Sequence, residues 1–379
     1  MSKNYIFILG RNPKLSFEEI KSYFEKTGNK ILKSELKSHA VFLELSEEFK
    51  KGEIENLGGV IAVIEIVASG NIKELIRKLE DEMIYAGEEN KLNYVLWDFA
   101  EDFSGDILDY LKQRFKSEKL KATLKHLSEK MELQTGEEVG VVSSGKLIDE
   151  EYCVFQTSDK DLHFGKIFQK INYKDIEKRD MSKPVRRPEL SISPRLAKIM
   201  INLSQVNPGE TFLDPFCGIG VLLQEALLQG IPVIGIDLNR EAIQDAGKNL
   251  SWGKFPKENY KLISGDSRTS KLDGEISGIA TEPDLGKILR KLPTKAEAEK
   301  TLKNFESLII NVVNNFKGNV KGKIVFSSPC IKTISKRVSV NSEELEKKTN
   351  LKISEGFPIQ DFRKDQIVGR EIFVLEKKA

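Results

Sequence analysis

The stretch Thr211-Phe-Leu-Asp-Pro-Phe-Cys-Gly-Ile-Gly220 decides the fold of this chain. An apolar run ends in an acid, two glycines follow, and residues 221–228 have the composition of a helix. A strand, a glycine-bearing turn and a helix form the nucleotide-binding unit of α/β folds, because glycine lets the backbone approach a ligand closely. We therefore predict a nucleotide-type site at Gly218 and Gly220.

A second acid helps to choose the ligand of this site. The apolar run 231–237 ends in Asp237, nineteen residues after Gly218, and ribose hydroxyls need an acceptor at the tip of the second strand. Asp214 stands directly before the turn, where its charge would repel a pyrophosphate but would suit a cationic sulfonium. The pattern favours S-adenosylmethionine over a dinucleotide. A strand-turn-helix without a ligand would explain the glycines but not both acids.

Predicted strands and helices alternate from residue 191 onward, which is typical of a doubly wound parallel sheet. The last two predicted strands are expected to close the sheet as an antiparallel β-hairpin pair. The predicted helices cover 193–204, 219–229, 239–250, 285–290, 295–316 and 340–348. The predicted strands cover 211–214, 232–237, 260–264, 277–281, 321–327, 351–355 and 369–376.

Length and composition limit the class of protein. With 379 residues the chain exceeds a usual single core, so two or three domains are expected. Charged residues make up 31% of the chain, and no apolar run approaches the ~20 residues that cross a bilayer. Three cysteines and three histidines lie far apart, which predicts neither a disulfide framework nor a metal site. We expect a cytoplasmic protein without membrane contact.

Positive charge is concentrated in one segment, although the net charge is only +2. Residues 160–198 contain eleven Lys and Arg against five acids. A local excess of cations is typical of a phosphate-binding surface, but a solvated lysine-rich linker would have the same composition. The residues that we expect to guide a nucleic acid are Arg179, Arg186, Arg187 and Arg195.

Two motifs make the chain resemble a known family. The stretch Leu213-Asp-Pro-Phe-Cys-Gly-Ile-Gly220 looks like the first motif of class I methyltransferases that act on nucleic acid. Residues 179–188, followed by Ser193-Pro-Arg-Leu-Ala197, are similar to the segment before the catalytic domain in THUMP-containing tRNA guanosine-N2 methyltransferases of archaea and eukaryotes. The order of elements agrees along most of the chain, whereas the N-terminal third is similar only in pattern.

The resemblance implies an α/β protein with a C-terminal Rossmann-like class I methyltransferase domain and an N-terminal α+β region that binds RNA. The first predicted elements of this N-terminal region follow the order β-α-β-β, which suits a ferredoxin-like module. In the region after them we predict a helix over Lys119–Lys130. The implied segments are a ferredoxin-like domain (1–68), a THUMP-like RNA-binding domain (69–169), a linker (170–190) and the methyltransferase domain (191–379).

The resemblance also implies roles in the cofactor site. Asp214 and the backbone of the glycine turn would hold the methionine end of the cofactor. Asp237 would accept hydrogen bonds from both ribose hydroxyls. Asp266, after the third strand, would accept one from the adenine amino group. An ordinary turn or helix-capping acid is the alternative for Asp266. The predicted cofactor-binding residues are Asp214, Pro215, Phe216, Gly218, Gly220, Asp237 and Asp266.

The catalytic loop is expected after the fourth strand, at Glu282-Pro-Asp-Leu285. Relatives that methylate amines typically carry Asp-Pro-Pro-Tyr-Gly here, where the acid and a backbone carbonyl accept the exocyclic N–H and the ring stacks on a flipped base. In this chain Glu282 takes the place of the acid, Pro283 is retained, Asp284 replaces proline and Leu285 replaces the aromatic. Loss of the ring should cost about 1–3 kcal/mol in base binding.

The resemblance implies a tRNA methyltransferase that uses S-adenosylmethionine to form N2-methylguanosine, at position 10 in the family. One alternative is an RNA-binding protein whose methyltransferase domain binds the cofactor but is catalytically impaired or needs a partner. A small-molecule methyltransferase would leave about 170 N-terminal residues without a role. Covalent cytosine methylation is not favoured, because Cys330 follows a later strand than the catalytic loop. An activating subunit and the oligomeric state are left open.

Overall fold

The computed structural model describes residues 2–100, 103–125, 129–132, 138–141, 148–187, 192–286, 289–363 and 366–378. The chain divides into two compact units. Unit 1 contains Met1–Phe17 and Gly28–Asn172, and unit 2 contains Glu18–Thr27 and Tyr173–Ala379. The finer division into ferredoxin-like, THUMP-like and linker segments stays a prediction.

Unit 1 is built on an eight-stranded mixed sheet. The elements in this part of the chain are β1 (Lys3–Leu9), α1 (Pro13–Thr27), β2 (Ile31–Lys37), β3 (Ala40–Leu45), β4 (Val60–Gly70), α2 (Ile72–Glu80), β5 (Lys91–Phe99), α3 (Ser104–Ser117), β6 (Lys121–Leu124), β7 (Glu129–Glu132), β8 (Glu138–Val141), β9 (Glu150–Gln156) and β10 (Leu162–Lys170). The strand order is β2-β3-β1-β4-β10-β9-β5-β6, and β7 pairs separately with β8. An aromatic core that includes Tyr94, Phe115 and Tyr152 packs against the sheet.

Two local predictions for unit 1 differ from the structure. The predicted helix Lys119–Lys130 is wrong, because Lys121–Leu124 is strand β6, parallel to β5. Its side chains alternate between exposed and half-buried, which is the period of a strand; residues 126–128 lie outside the described residues. Strand β2 was not predicted, because it is an edge strand with mostly exposed side chains and shows no apolar alternation.

Unit 2 contains a second, mixed sheet with five adjacent parallel strands. Its elements are α4 (Tyr173–Met181), α5 (Pro194–Leu203), β11 (Phe212–Asp214), α6 (Val221–Leu228), β12 (Val233–Asp237), α7 (Arg240–Trp252), β13 (Tyr260–Ser264), β14 (Gly278–Thr281), α8 (Lys295–Phe316), β15 (Ile324–Lys332), β16 (Arg337–Val338), α9 (Ser342–Thr349), β17 (Leu351–Ile353), β18 (Ile359–Asp361) and β19 (Val368–Lys377). The main order is β13-β12-β11-β14-β15-β19-β17, with β16 on β15 and β18 on β19. The predicted alternation and the antiparallel closing pair, β17 and β19, are confirmed.

The strand order of unit 2 reverses at its centre. From β11 the chain moves to β12 and β13 on one side, and it then returns to β14 and β15 on the other. These five strands are parallel, so their carboxyl ends lie at one edge of the sheet. Ligands of open α/β sheets bind at the carboxyl edge where the order reverses, which here means between β11 and β14. The predicted helix 285–290 is not present at its described residues 285, 286, 289 and 290, none of which is helical.

The second half of α1 belongs to unit 2 through a buried polar network. Ser22 Oγ donates to the carbonyl of Asn202 on α5 (2.9 Å), whose Nδ2 donates to Glu19 Oε1 (2.8 Å). Lys26 Nζ donates to Asn202 Oδ1 (2.9 Å), and burial lowers the pKa of Lys26 to about 8. An N-terminal segment is thus a structural part of the C-terminal unit. No helix in the described ranges is long and apolar enough to span a bilayer.

Candidate active site

Asp214 and Thr281 join the two strands between which the order reverses. Thr281 Oγ1 at the end of β14 donates to Asp214 Oδ1 at the end of β11 (2.6 Å), and the amide of Phe216 donates to the same oxygen (3.1 Å). Asp214 is 1% exposed, and its Oδ2 accepts no hydrogen bond from any described residue. One carboxylate oxygen therefore fixes the strands, while the other is available to a ligand.

The ionisation of Asp214 is set by its surroundings. Burial raises its pKa to about 7, and the nearby acids Asp237 and Glu282 act in the same direction, against the hydrogen bonds from Thr281 and Phe216. A cation bound beside Asp214 would favour the charged carboxylate. The site is therefore suited to a positively charged ligand.

The turn after β11 is the predicted glycine turn. Gly218 and Gly220 have φ of +51° and +87°, a left-handed conformation that glycine adopts without strain. A Cβ added to Gly218 would meet no atom within 4 Å, so the space beside the turn is open. The amide of Gly218 donates to Asp237 Oδ2 (2.9 Å), and the amide of Asn239 donates to Asp237 Oδ1 (2.8 Å). Each oxygen of Asp237 keeps acceptor capacity for a ligand hydroxyl.

The other predicted cofactor residues lie around this turn. The carbonyl of Pro215 accepts from Ser267 Oγ (2.5 Å), and Phe216 packs partly against the core. The carboxylate of Asp266 already accepts hydrogen bonds from Arg268, whose Nε lies 3.0 Å from both oxygens. These hydrogen bonds lower the pKa of Asp266. Its predicted contact with adenine would require Arg268 to move or to share the carboxylate.

Glu282 of the predicted catalytic loop is held by two side chains that the sequence did not suggest. Arg370 on β19 donates from Nε to Glu282 Oε2 (2.7 Å) and from Nη2 to Oε1 (2.8 Å). Ser327 on β15 also donates to Oε2 (3.1 Å). The Glu282 side chain is 8% exposed and that of Arg370 is 24% exposed. The carboxylate is oriented, and Oε1, with one described donor, can still accept a second hydrogen bond.

The rest of the loop departs from the expected geometry. Pro283 is buried, and Asp284 is exposed and accepts the amide of Gly286 (2.9 Å) in a local turn. Leu285 packs partly against the hydrophobic core, so only part of its surface could meet a base. Of the predicted catalytic residues, Glu282 alone presents a buried, oriented polar group.

The predicted RNA-guiding arginines divide into engaged and exposed side chains. Arg179 forms a two-pronged pair with the buried Glu225, with Nε–Oε1 and Nη2–Oε2 distances of 3.1 and 3.2 Å. Arg187 donates to Asp245 Oδ2 (2.9 Å). These guanidiniums are bound to acids of α6 and α7, which reduces the charge that they offer to a phosphate.

Arg195 does not have the exposure that its predicted role requires. Its side chain is only 1% exposed, and Nη1 donates to the hydroxyl of Tyr173 (3.2 Å). In this conformation a phosphate cannot reach it, and we leave it out of the RNA surface. Arg186 is exposed, with Nη2 lying 3.0 Å from Met181 Sδ, and its role stays a prediction.

The cysteines do not contribute a nucleophile to this site. Burial raises the pKa of Cys217, in the glycine turn, and also that of Cys330, on β15. A buried thiol with a raised pKa is a poor nucleophile, because the thiolate is the reactive form. The geometry therefore supports no covalent step.

Comparison with known proteins identifies the class of this unit. Residues 184–300 match the model of the UPF0020 family, described as an RMKL-like methyltransferase domain. The chain therefore carries a methyltransferase domain, and the predicted resemblance is confirmed over this segment. TrmN from Thermus thermophilus aligns over 100% of both chains, with a TM-score of 0.54 and 14% sequence identity, which shows the shared fold.

The relatives with named activities match shorter segments. The tRNA (guanine(10)-N2)-dimethyltransferase of Methanothermobacter thermautotrophicus is 36% identical over 110 residues, 28% of this chain and 32% of the relative. The Pyrococcus abyssi protein of the same name is 34% identical over 113 residues, 29% of this chain and 33% of the relative. A Saccharomyces cerevisiae tRNA (guanine(10)-N(2))-methyltransferase is 31% identical over 90 residues, 24% of this chain and 21% of the relative. The aligned part of the chain thus spans a third or less of the length of these relatives.

Proposed function

We propose that this protein is an S-adenosylmethionine-dependent methyltransferase that modifies the exocyclic N2 of a guanosine in tRNA. The observation that carries the proposal is the close grouping of Asp214, Asp237 and Glu282 at the reversal point of the sheet, within a matched methyltransferase segment. The names of the relatives support tRNA as the substrate and guanosine 10 as the position. Because its proposed substrate is tRNA, we propose that the protein acts in the cytoplasm.

The residues at the reversal point fit S-adenosylmethionine. Asp237 has acceptor capacity for both ribose hydroxyls, and the free oxygen of Asp214 suits the amino group of the methionine part. The open space beside Gly218 admits the ligand, and Leu238, 72% exposed, offers apolar surface to adenine. When bound, S-adenosylmethionine supplies a methyl group on a positively charged sulfur, and this charge favours the ionised form of Asp214.

The role proposed for Glu282 is to orient the amine. An exocyclic amine conjugated to a base is a poor nucleophile, so holding its lone pair in the right direction matters more than a strong base. Glu282 Oε1 would accept one N–H of this amine, while Arg370 and Ser327 keep the carboxylate in place. Leu285 supplies no ring for stacking, so hydrogen bonds to the edge of the base carry more of its recognition.

Methyl transfer to tRNA tests this function directly. Purified protein is incubated with labelled S-adenosylmethionine and bulk unmodified tRNA, and the labelled nucleoside is identified. We expect N2-methylguanosine or its dimethylated form. Label formed by the purified chain alone would show that no activating subunit is required. No label, with cofactor still bound in a parallel titration, would contradict the proposal and would favour a non-catalytic or partner-dependent RNA-binding role.

Replacing Asp237 with alanine should abolish cofactor binding while the protein still folds. Two hydrogen bonds to a charged group contribute about 1.5–3 kcal/mol each, so the affinity should fall by at least ~100-fold. Calorimetric titration with S-adenosylmethionine measures this loss. Asp237→Asn, which keeps one acceptor oxygen, should lose less, and thermal unfolding verifies the fold of both variants. Unchanged affinity in Asp237→Ala would refute the role of this residue.

A further inference from the structure

We propose that the carboxyl edge of the unit 2 sheet carries an RNA-contacting patch formed by Arg290, Lys291, Lys332 and Lys336, with Ile334 as its apolar member. We call these five residues the carboxyl-edge patch. The inference rests on the proposed function and concerns where the RNA lies. It differs from the sequence-based expectation, which assigned RNA guidance to arginines between residues 179 and 195.

The topology brings the patch to the side of the candidate active site. Arg290 and Lys291 lie between β14 and α8, in the connection that also contains Glu282. The other three residues lie in or next to the turn that follows β15, a strand parallel to β14. Thr281 pairs with Phe326, so residues 327–332 of β15 continue past the end of β14, a length of about 20 Å. The turn thus lies beyond the end of β14, at the carboxyl edge of the sheet.

The turn after β15 is held in a fixed shape. The amide of Thr333 donates to the carbonyl of Lys336 (2.9 Å), and Thr333 Oγ1 donates to the same carbonyl (2.6 Å). The guanidinium of Arg337 donates to the carbonyls of Cys330 (3.0 Å) and Gln366 (2.5 Å) and lies 3.7 Å from the ring centroid of Phe362. A turn that is ordered before binding loses little conformational entropy when RNA binds.

The charges of the patch are available to a ligand. Within the part of the chain that the structure describes, none of its four cations forms an ion pair. Among the acids of the neighbouring described residues, Glu282 pairs with Arg370 and Asp361 is buried, whereas Asp284 and Glu297, which caps α8, are exposed. By contrast, Arg179 and Arg187 of the predicted basic segment are paired with acids. The uncompensated positive charge therefore lies beside the candidate site.

Ile334 adds an apolar contact to this charged surface. It is 84% exposed at the tip of the turn. A singly exposed apolar side chain needs no special explanation, but this one lies between two lysines, at the edge where a base must leave its stack to be methylated. Apolar side chains that pack between bases, with lysines on the adjacent phosphates, are a known way to stabilise such distorted nucleic acid. RNA fits this combination better than an acidic protein surface, which would not require the isoleucine.

The salt dependence of tRNA binding tests the patch. The variants are Arg290→Gln/Lys291→Gln, Lys332→Gln/Lys336→Gln and Ile334→Ala, with unmodified tRNA as the probe. Each double variant removes two cations, and it should reduce the steepness of log affinity against log salt by about 1.4–1.8. Each double variant should also bind tRNA roughly tenfold more weakly at 0.1 M salt, and Ile334→Ala should bind it roughly 5–10-fold more weakly. Cofactor affinity and thermal stability should change little, because Lys332 is half-buried and the other four side chains are exposed.

Matched controls lie at the opposite edge of the same sheet. Lys261 lies near the start of β13 and Lys347 precedes β17; both are exposed and neither has a described ion pair, so Lys261→Gln/Lys347→Gln removes the same charge from the amino edge. Leu228, 48% exposed at the end of α6, matches Ile334. These controls should bind tRNA like the unmodified protein. If the patch variants bind tRNA as tightly as the unmodified protein, and the unmodified protein methylates tRNA, the inference is overturned and the proposed function stands. If the unmodified protein neither binds nor methylates tRNA, both fail.

Discussion

Replacing Arg370 with methionine should lower the kcat of methyl transfer by roughly 100-fold, because a misplaced orienting group costs about this much. Arg370 donates two of the three described hydrogen bonds to Glu282, so its loss frees the carboxylate to rotate. The affinities for S-adenosylmethionine and tRNA should change little. Arg370→Lys keeps the charge but not the two-pronged geometry, and it should recover only part of kcat. Single-turnover kinetics at saturating substrate measures the effect.

A double-mutant cycle separates orientation from folding. Arg370→Met leaves the mostly buried Glu282 unpaired, which should cost about 2–3 kcal/mol of stability after allowance for the partial exposure of the arginine. Glu282→Met/Arg370→Met should recover this stability without recovering activity. In a Glu282→Ala background, Arg370→Met should have no further effect on kcat. Additive losses in kcat would mean that Arg370 does not act through Glu282.

Replacing Asp214 with asparagine should stabilise unit 2 at pH 8 and weaken cofactor binding at the same time. The Asp214 pKa is about 7 in the folded protein, against about 3.9 in an unfolded chain. The folded state therefore holds the proton more tightly, and its stability falls as the pH rises from about 4 to about 7. Asparagine has no charge to bury and keeps an acceptor for Thr281 and Phe216. We expect a gain of about 2–3 kcal/mol at pH 8 that disappears near pH 4.

The same substitution should lower the affinity for the cofactor. The variant loses a negative charge beside the sulfonium, so its affinity for S-adenosylmethionine should fall by roughly 10–100-fold at pH 8. In the unmodified protein the affinity should decrease as the pH falls below about 7, whereas the variant should be nearly independent of pH in this range. A variant that binds normally at pH 8 would exclude Asp214 from the cofactor site.

The chain has two tryptophans, Trp97 and Trp252. In a Trp97→Phe variant the tryptophan fluorescence comes from Trp252 on α7 and therefore reports on unit 2 alone. Denaturant unfolding of Trp97→Phe, with and without Asp214→Asn, would measure the stability of unit 2 at several pH values. Asp245→Asn is a control of opposite sign, since the ion pairs with Lys248 and Arg187 lower the pKa of Asp245. That variant should be less stable at neutral pH, and the difference should shrink as the pH falls through the lowered pKa.

The sequence predicted those parts of the site that depend on neighbours along the chain. The glycine turn, Asp214 and Asp237 were identifiable because a strand, an acid and a tight turn follow one another directly. Arg370 was not identifiable, because it lies 88 residues from Glu282 and meets it through the pairing of β15 with β19. The glutamate in place of the shorter aspartate was the one sequence feature that pointed to a different support for the acid.

Counting charges in a window of sequence predicted the binding surface less well than the strand patterns predicted the fold. The basic segment around residue 180 has an excess of cations locally, but Glu225 and Asp245, which pair with Arg179 and Arg187, lie 46 and 58 residues further along. A window that ends at residue 198 cannot include them. The lysines near residue 120 similarly suggested a solvated helix, although the side chains of β6 alternate as in a strand.

The division of α1 between the two units has a consequence for synthesis on the ribosome. Residues 18–27 are made early, but their partner Asn202 on α5 emerges only after more than 170 further residues. At a translation rate of about 5–20 residues per second, this helix segment waits roughly 10–35 s for its partner. During that interval Glu19 and Lys26 must remain in water or bind a chaperone. Unit 2 can therefore complete its fold only when both ends of the nascent chain are present.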